Sequence, residues 1–517
     1  MAVKIILLIL FFGVMIGVGV ATRKHATNVN DFVLGGRGVG PWLTAFAYGT
    51  SYFSAVVFVG YAGQFGYKYG LAATWIGLGN AFIGSLLAWL LLAKRTRKMS
   101  KYLNSATMPD FFGKRFQSKS LKVTASVIVF IFLIPYTASV YNGLSRLFEM
   151  AFDVPYEVCV IVMALLTGIY VFMGGYMATA LNDFIQGIIM LVGIVVVIVA
   201  VVQGKGGFMD AIRQLASMES ESAVTLGQQG AYTSFFGPDP INLFGVVVLT
   251  SLGTWGLPQM IHKFYAIKDD RSIHTGTIIS TIFAIIISGG CYFLGGFGRL
   301  FDNPQIHSES GAVVYDAIIP SMLSTLPDIL IGIVIVLVLS ASMSTLSSLV
   351  LTSSSTLTLD LIKDNIIKRM NDKKQLSCMR FFLAFFIVIS VIIAMDPPTF
   401  IAQLMGISWG ALAGAFLAPY LYSLYWKGVT RASVWVSFIS GVGITVSNLF
   451  FKYIDSPINA GALAMVAGLV LVPIVSLVTP KLEAKKLDEI FTCVATPKTE
   501  VSTILPETVE KENLVNE

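Results

Sequence analysis

Long apolar runs follow one another along most of the chain, separated by short polar segments. A helix needs roughly 20 mostly apolar residues to cross a membrane, and about 13 runs meet that requirement. The predicted spans begin near Val3, Trp42, Leu71, Val123, Tyr156, Ala180, Ile241, Ile273, Ile329, Phe381, Phe400, Ala432 and Ala460. This pattern predicts an all-α membrane protein with one transmembrane domain over residues 1–480 and a flexible tail over residues 481–517.

The composition of the chain is that of a membrane protein. Hydrophobic residues make up 55% of the chain and charged residues only 12%, whereas a soluble domain carries about twice that share of charge. The net charge of +6 does not predict a nucleic-acid partner, because the basic residues are distributed over alternate loops. The basic segments include the run KRTRK at Lys94–Lys98, Lys114–Lys122, Lys263–Arg271, Lys363–Arg380 and Lys427–Arg431.

Basic loops favour the cytoplasmic side of a membrane. Placing all of the basic segments there makes the orientation alternate correctly through every predicted span. Because 13 is odd, we expect the N-terminus outside and the C-terminus in the cytoplasm, in a multi-pass protein of the plasma or inner membrane.

The second span contains polar and flexible residues that are costly in hydrocarbon. Its sequence is GTSYFSAVVFVGYAGQFG, from Gly49 to Gly66. One interpretation is a close-packing face against a neighbouring helix. The other is an unwound turn, which is tolerated at membrane depth where the backbone lines a cavity or a bound ion. In that case Thr50 and Phe53 would offer free carbonyls.

The seventh span carries GTWGLPQM, from Gly253 to Met260, where Pro258 removes a hydrogen-bond donor. A kink without function is the alternative to a functional break. Two interrupted helices would each open a set of five, spans 2–6 and 7–11, at about residues 42–203 and 241–425. That arrangement is typical of inverted-repeat transporters, although no matching sequence repeat is visible between the halves.

The ninth span contains six hydroxyl residues between Ser340 and Ser348. Their helical spacing places several of them on one face, and sodium, as a hard cation, prefers several oxygen ligands. The alternative is that the hydroxyls bond to backbone carbonyls one turn back or between helices. The residues on or beside this face are Ala341, Ser344, Thr345, Ser347 and Ser348.

Asp183 in ATALNDFIQG has no lysine or arginine nearby in sequence. It could cap the sixth span at the interface, or it could face a bound cation within the membrane. For the solute cavity, the candidates are the amphipathic side chains near the two interrupted helices: Gln64, Tyr136, Trp255 and Gln259. The chain has no Walker A motif for an ATP-driven pump, and we do not expect an enzyme.

The strings DFVLGGRGVGP, ATALNDFIQG and SMSTLSS, together with the 13-span topology, resemble the sodium:solute symporter family from about Asn30 to the last span. The resemblance implies a LeuT-type five-helix inverted repeat with one extra helix at the front and two at the back. It also implies that sodium is the coupling ion for inward transport of one small solute.

The resemblance further implies site residues. The general sodium site would use the carbonyls of Thr50, Phe53 and Ala341 with the hydroxyls of Ser344 and Thr345. A second sodium site would use Asp183 with the hydroxyls of Ser344, Thr345, Ser347 and Ser348. Whether one or two sodium ions move per cycle stays open.

Proline permeases and pantothenate permeases are the most similar subgroups, through PYTASVYNGLSRLFE and IKDDRSIHTGTIISTI respectively. Proline permeases carry an aspartate where this chain has Tyr52, and a tryptophan and a tyrosine where it has Thr250 and Thr254. The predicted function is sodium-coupled import of an amino acid such as proline, or of a monocarboxylate such as pantothenate. The alternatives are proton coupling on the same fold, with Asp183 titrating, an ion channel and a membrane sensor; the oligomeric state is not predicted.

Overall fold

The computed structural model describes residues 2–22, 28–364, 366–367 and 370–495. Regular structure within these ranges is helical. The first ten α-helices are α1 Ala2–Thr22, α2 Val29–Leu34, α3 Pro41–Tyr52, α4 Ala62–Tyr69, α5 Thr74–Gly79, α6 Lys94–Tyr102, α7 Met108–Arg115, α8 Lys119–Phe152, α9 Tyr156–Gln203 and α10 Phe208–Ala216.

The remaining ten α-helices follow a long polar connection. They are α11 Pro240–Gly253, α12 Pro258–Ala266, α13 Asp270–Gly295, α14 Ile318–Ser324, α15 Asp328–Thr356, α16 Asp372–Met395, α17 Ile401–Tyr425, α18 Arg431–Phe451, α19 Pro457–Val478 and α20 Ala484–Ala495. Wider π-helical turns occur at Val56–Tyr61, Asn80–Leu87, Trp89–Ala93 and Leu357–Lys363. Short 3-10 turns occur at Gly35–Arg37, Gly70–Ala73, Ala231–Thr233, Gly298–Phe301, Pro304–Ile306 and Tyr315–Ala317.

The helix of the second predicted span is broken. Helix α3 ends at Tyr52, and Phe53 is extended, with φ −109° and ψ 103°. The Ser54 hydroxyl accepts a hydrogen bond from the Val56 amide at 3.2 Å, so Ser54 caps the half-helix that follows. Of the two interpretations of this span, the structure therefore shows the unwound turn.

The helix of the seventh predicted span is broken as well. Helix α11 ends at Gly253, and α12 begins at Pro258, which occupies its first turn. A proline is favoured there because it has no amide hydrogen to leave unpaired. At Gly256 a Cβ would lie 2.7 Å from the Ala413 Cα, so the linker between α11 and α12 packs directly on the backbone of α17.

Eleven helical segments in the described ranges are long and apolar enough to cross a membrane. The predicted fifth and sixth spans both lie within α9, which Gly175 interrupts at φ 57° and ψ −151°. The predicted third span follows the turn at Gly70 inside one apolar segment, Val56–Tyr102. The all-helical membrane architecture is confirmed, and the count of 13 spans stays a prediction.

Charged contacts define two ends of the bundle. At one end, which we call the basic face because the basic loops lie there, Arg97 contacts Asp270 at 3.2 Å. The Arg431 guanidinium at this end donates to the Phe116 carbonyl at 2.6 Å. At the opposite face, Lys4 contacts Asp328 at 3.0 Å. Helix α15 runs from Asp328 at the opposite face to the basic face. The basic loops grouped from sequence therefore meet at one end of the bundle.

The segment expected to be a flexible tail begins with a helix. Helix α20 packs on α6 and buries Leu487 and Ile490. These two residues are three apart, so they share one helical face. Residues 496–517 lie outside the described residues.

Candidate functional site

The broken end of α3 meets the hydroxyl face of α15. The Ser344 hydroxyl donates to the Thr50 carbonyl at 3.0 Å, and the Thr345 hydroxyl lies 3.3 Å from the same oxygen. Thr345 also reaches the Ser51 carbonyl at 3.4 Å. These carbonyls belong to the last turn of α3, where no further helical amide is available to them. The break thus supplies backbone oxygens, and α15 supplies the hydroxyls that face them.

The Ala341 carbonyl completes this group of oxygens. It lies 3.0 Å from the Ser344 hydroxyl and 3.1 Å from the Thr345 hydroxyl. Phe53, the remaining predicted ligand, lines a small cavity together with Ala341. Four of the five predicted members of the first sodium site are therefore in mutual contact, and the fifth is adjacent.

The oxygens are hydrogen-bonded to one another, and their spacing is also compatible with a hard cation of sodium's size. A cation that binds oxygen at about 2.4 Å holds neighbouring octahedral ligands about 3.4 Å apart. The observed separations run from 3.0 to 3.4 Å. Thr50, Ser344 and Thr345 are fully buried. A cation entering the group would meet carbonyl and hydroxyl lone pairs after small rotations of the two side chains.

The residues predicted for a second sodium site are also buried, but they have other partners. The Ser347 hydroxyl donates to the Ser344 carbonyl at 2.9 Å. The Ser348 hydroxyl accepts from the Lys263 ammonium at 2.9 Å, and that ammonium lies 3.7 Å from the Asp183 carboxylate. Asp183 is therefore paired with a lysine about 80 residues away in sequence.

The position of Lys263 differs from the sequence-based expectation. From the sequence we placed Lys263 in the basic loop Lys263–Arg271. In the structure Lys263 lies on α12 and is only 2% exposed. Helix α12 runs from Pro258 toward the basic face, and this path places Lys263 between α15 and α9. A sequence run of basic residues does not reveal which of them still belongs to the helix.

The four predicted solute-site residues are all buried, with different environments. The Trp255 indole donates to the Ile83 carbonyl at 3.0 Å, so its polar group is already used. The Tyr136 hydroxyl, both polar atoms of the Gln259 amide and the Gln64 amide oxygen have no hydrogen-bond partner among the described residues. Buried polar groups are rarely left unpaired, and these three residues are therefore available to a ligand.

Trp409 on α17 is a candidate that sequence reasoning missed. Its ring lies 5.8 Å from Tyr136 and 6.0 Å from Tyr52, measured between ring centroids. A Cβ on Gly253 would lie 2.7 Å from the Trp409 ring, so Trp409 touches the broken end of α11. Its indole nitrogen has no partner among the described residues.

We call Tyr52, Phe53, Tyr136 and Trp409 the aromatic box. Phe53 stacks on Tyr52 at 4.4 Å, and the Tyr52 hydroxyl donates to the Thr250 carbonyl at 2.6 Å. The box therefore spans both helix breaks and lies next to the proposed sodium ligands. The small residues around Trp409, in GISWGALAG, were the only sequence signal for it.

Comparison with known proteins identifies the family. The model of the sodium:solute symporter family matches residues 32–441. The chain belongs to the sodium:solute symporter family. The symporter is 29% identical to the osmoregulated proline transporter of Bacillus subtilis, over 93% of this chain and 96% of that one. It is 31% identical to sodium/proline symporter 2 of Staphylococcus saprophyticus, over 85% of each chain.

Solved structures agree on the fold. A sodium-coupled sialic acid symporter in a substrate-bound, outward-open state superposes with a TM-score of 0.73 at 16% identity, covering 93% of this chain and 99% of that chain. The nucleobase-cation-symport-1 family transporter Mhp1, in a closed form, gives 0.51 at 12% identity, over 89% of this chain and 98% of that chain. The symporter therefore has the LeuT-type fold expected from the sequence. Its membership of the sodium:solute symporter family makes sodium its coupling ion.

Cavities of the symporter open at the opposite face. One is lined by Asn142, Arg146 and Asp316, and another reaches Gln64. The Asp316 carboxylate accepts the Ile401 amide at 3.2 Å, at the start of α17. Burial raises the pKa of Asp316 to about 6, against the weaker opposing influence of the Ile401 amide and Arg146. The second cavity also has Phe65 and Tyr69 of α4 in its wall.

Two cationic side chains tie helices together at the basic face. Arg37 follows Gly35 and Gly36, which adopt positive φ angles of 55° and 65°. Its guanidinium donates to the Ser105 carbonyl at 2.6 Å and the Tyr265 carbonyl at 3.3 Å, and burial lowers its pKa. Arg37 thereby connects the entry to the first broken helix with α12.

The Lys122 ammonium is the second such group. It contacts three carboxylates, those of Asp110 at 2.7 Å, Asp360 at 3.2 Å and Asp364 at 2.6 Å. Asp110 lies on α7, and Asp360 and Asp364 lie in and directly after the π-helical turn Leu357–Lys363 that continues α15. The network therefore links α7, α8 and the continuation of α15. With Arg37, it connects both halves of the bundle at the basic face.

Proposed function

We propose that this symporter imports a small amino acid of the proline class together with sodium, by alternating access. Sodium binds between the broken end of α3 and α15, at Thr50, Phe53, Ala341, Ser344 and Thr345. The observation that carries the proposal is the contact of the Ser344 and Thr345 hydroxyls with the Thr50 carbonyl, freed by the break next to the aromatic box.

The aromatic box suits a compact solute with an apolar body. Its rings offer apolar faces, and the unpaired Tyr136 hydroxyl and Trp409 indole nitrogen offer directed hydrogen bonds. The half-helix capped by Ser54 begins at the box, and a helix N-terminus favours a carboxylate. A small zwitterion can therefore place its carboxylate at Ser54 and its hydrocarbon ring between the aromatic side chains.

Relatives named for proline support this class of solute over 85–93% of the chain. The departures from proline permeases at Tyr52 and Thr250 form a direct contact, since the Tyr52 hydroxyl donates to the Thr250 carbonyl. Position 52 therefore offers no carboxylate to the amino group of the solute. That group would bind the freed backbone carbonyls and the Gln259 amide instead.

Sodium couples to the solute through the broken helix. The ion would join α3 to α15 and so stabilise an arrangement in which the aromatic box receives solute from the opposite face. Arg37 and Lys122 close the basic face in that arrangement. Release then requires these contacts to separate while sodium leaves its oxygens.

The proposal also includes the domain boundaries, the orientation in the membrane and the roles of Gln64 and Trp255. Residues 1–480 form one transporter domain, with inverted repeats at about 42–203 and 241–425, and residues 481–517 are a cytoplasmic extension. By the distribution of basic residues, the basic face is cytoplasmic and the N-terminus lies outside. Gln64 and Trp255 border the solute path, Gln64 at the cavity and Trp255 as a support for the break.

The experiment is thermal stability of the purified protein with a panel of compounds, each in sodium and in potassium. The panel contains L-proline, other small amino acids, pantothenate, short monocarboxylates and sugars. Because a ligand that binds the folded state stabilises it by mass action, L-proline should raise the melting temperature in sodium only. Equal stabilisation in potassium would contradict sodium coupling, and stabilisation only by pantothenate or a sugar would contradict the amino-acid assignment.

A further inference from the structure

A buried ion pair lies directly beside the proposed sodium site. Lys263 on α12 and Asp183 on α9 are 2% and 0% exposed, and their charged atoms are 3.7 Å apart. The ring of Tyr176 lies 5.3 Å from the Lys263 ammonium. Nothing in the solute path uses these groups, so their role has to be found elsewhere.

The Lys263 ammonium lies between two of the residues predicted for a second sodium ion. It donates to the Ser348 hydroxyl at 2.9 Å and faces the Asp183 carboxylate. Ser348 in turn is hydrogen-bonded to the Ser51 hydroxyl at 2.8 Å. Of the five predicted ligands, Ser348 is therefore hydrogen-bonded to a cation of the protein itself, and Asp183 forms an ion pair with the same cation.

The other three predicted ligands are also engaged. The Ser344 and Thr345 hydroxyls face the Thr50 carbonyl, where the first ion binds. The Ser347 hydroxyl donates to the Ser344 carbonyl within its own helix. The oxygen set for a second ion is thus divided between the first site, the helix backbone and Lys263.

The buried charges also disfavour a second sodium ion at this place. A buried carboxylate needs a counter-charge, and Lys263 provides it, so the pair is neutral. A sodium ion at this place would meet an ammonium within a few ångströms, in a buried environment where like charges repel strongly. The observed residues therefore do not fit a second sodium ion.

We propose that Lys263 is a tethered cation that takes the place of a second sodium ion, so that the symporter binds one sodium ion per cycle. This inference rests on the proposed function, since it assumes sodium at the first site. Because Lys263 is covalently attached to α12, it neutralises Asp183 without being transported. Ser51 and Ser348 connect it to the carbonyls at the break of α3.

The test counts sodium ions bound to the purified protein, using radioactive sodium alone and no solute. The wild type should bind one ion per chain at saturation. Lys263→Met removes the ammonium and keeps an unbranched side chain, so the variant should bind two ions. It should also have a lower melting temperature than the wild type in potassium, because Asp183 is left unpaired, and sodium should restore most of the difference.

Two further variants keep the test decisive. Asp183→Asn combined with Lys263→Met removes both charges and should bind one ion, because no carboxylate is left to attract a second; two ions bound to it would overturn the role given to the pair. Lys4→Met is the matched control, because Lys4 is also buried and paired with an aspartate, Asp328, at the opposite face. It should bind one ion.

The outcomes separate the two proposals. Two ions bound to the wild type, or one ion bound to folded Lys263→Met, would overturn the role given to Lys263 and leave the first sodium site intact. An absence of sodium binding to the wild type would instead contradict the proposed function.

Discussion

The Ser344 hydroxyl donates a hydrogen bond to the Thr50 carbonyl across 3.0 Å, although 294 positions separate the two residues in sequence. Helix α15 is continuous here and α3 is broken, so the contact joins an intact helix to an unwound one. We infer that sodium strengthens this junction, because it adds a shared ligand to oxygens on both helices.

Removing either hydroxyl should weaken sodium binding. Ser344→Ala and Thr345→Ala each delete one proposed ligand, and we expect the half-saturating sodium concentration to rise about tenfold or more, equivalent to roughly 1.4 kcal/mol. Sodium titrations of melting temperature measure this. Ser342→Ala is the control, since that hydroxyl donates to the Val338 carbonyl in its own helix, and it should leave the titration unchanged. Unaltered sodium dependence in both ligand variants would remove the site assignment.

The Tyr136 hydroxyl should serve the solute and not the fold. Because the hydroxyl makes no hydrogen bond of regular geometry to a described residue, Tyr136→Phe should leave the melting temperature in sodium unchanged or slightly raised. The same change should raise the KM for L-proline roughly tenfold, the effect of about one lost hydrogen bond.

Tyr141→Phe is the matched control for Tyr136→Phe. Tyr141 is on the same helix, fully buried, and its hydroxyl is also unpaired in the described part of the chain, but it is outside the aromatic box. Its KM should equal that of the wild type. A KM raised equally in both variants would argue that α8 packing, and not the box, determines affinity.

Close backbone packing should make Gly66 intolerant of a side chain. A Cβ at Gly66 on α4 would lie 2.0 Å from the Gly295 carbonyl carbon on α13, and backbone atoms cannot move aside as a flexible side chain can. We expect Gly66→Ala to destabilise the protein by about 3 kcal/mol or more, seen as loss of monodisperse protein on size-exclusion chromatography.

Gly13→Ala is the comparison for Gly66→Ala. A Cβ at Gly13 on α1 would meet nothing within 4 Å, and alanine is the better helix former. The melting temperature of this variant should stay level or rise. A stable Gly66→Ala protein would show that α4 and α13 are farther apart than described.

Asp316 should make stability depend on pH in a defined direction. Its folded-state pKa is raised to about 6, chiefly by burial, above the usual value near 4. Between about pH 4 and 6 the unfolded chain has lost the proton that the folded chain keeps, so this group's contribution falls as pH rises, by roughly 3 kcal/mol in total. The melting temperature of the wild type should therefore fall relative to that of Asp316→Asn from pH 4.5 to pH 7.5.

Asparagine at position 316 can still accept the Ile401 amide hydrogen through its side-chain oxygen, so the start of α17 stays capped. The variant thus isolates the charge. A difference in melting temperature that does not change with pH would show that the Asp316 carboxyl is solvated and keeps its ordinary pKa.

Sequence patterns predicted the broken helices because the physical cause is local. Gly49 and Ser54 around the first break, and Gly253 with Pro258 around the second, disfavour a continuous helix wherever they occur. The hydroxyl face of α15 was predicted for the same reason, since helical periodicity alone aligns Ala341, Ser344 and Thr345.

Contacts between residues far apart in the chain could not be predicted from the sequence. Lys263 was assigned to a loop because it begins a run of basic residues, and only the path of α12 brings it to Asp183. Trp409 was missed, because its approach to Tyr136 and Gly253 depends on how α17 crosses the two breaks.

Uptake into proteoliposomes tests the central claim most directly. Radiolabelled L-proline is offered at fixed pH with an inward sodium gradient, with equal sodium on both sides, and with a proton gradient in potassium alone. Our account predicts concentrative uptake with the sodium gradient and none with the proton gradient in potassium. Uptake driven by protons without sodium would contradict it.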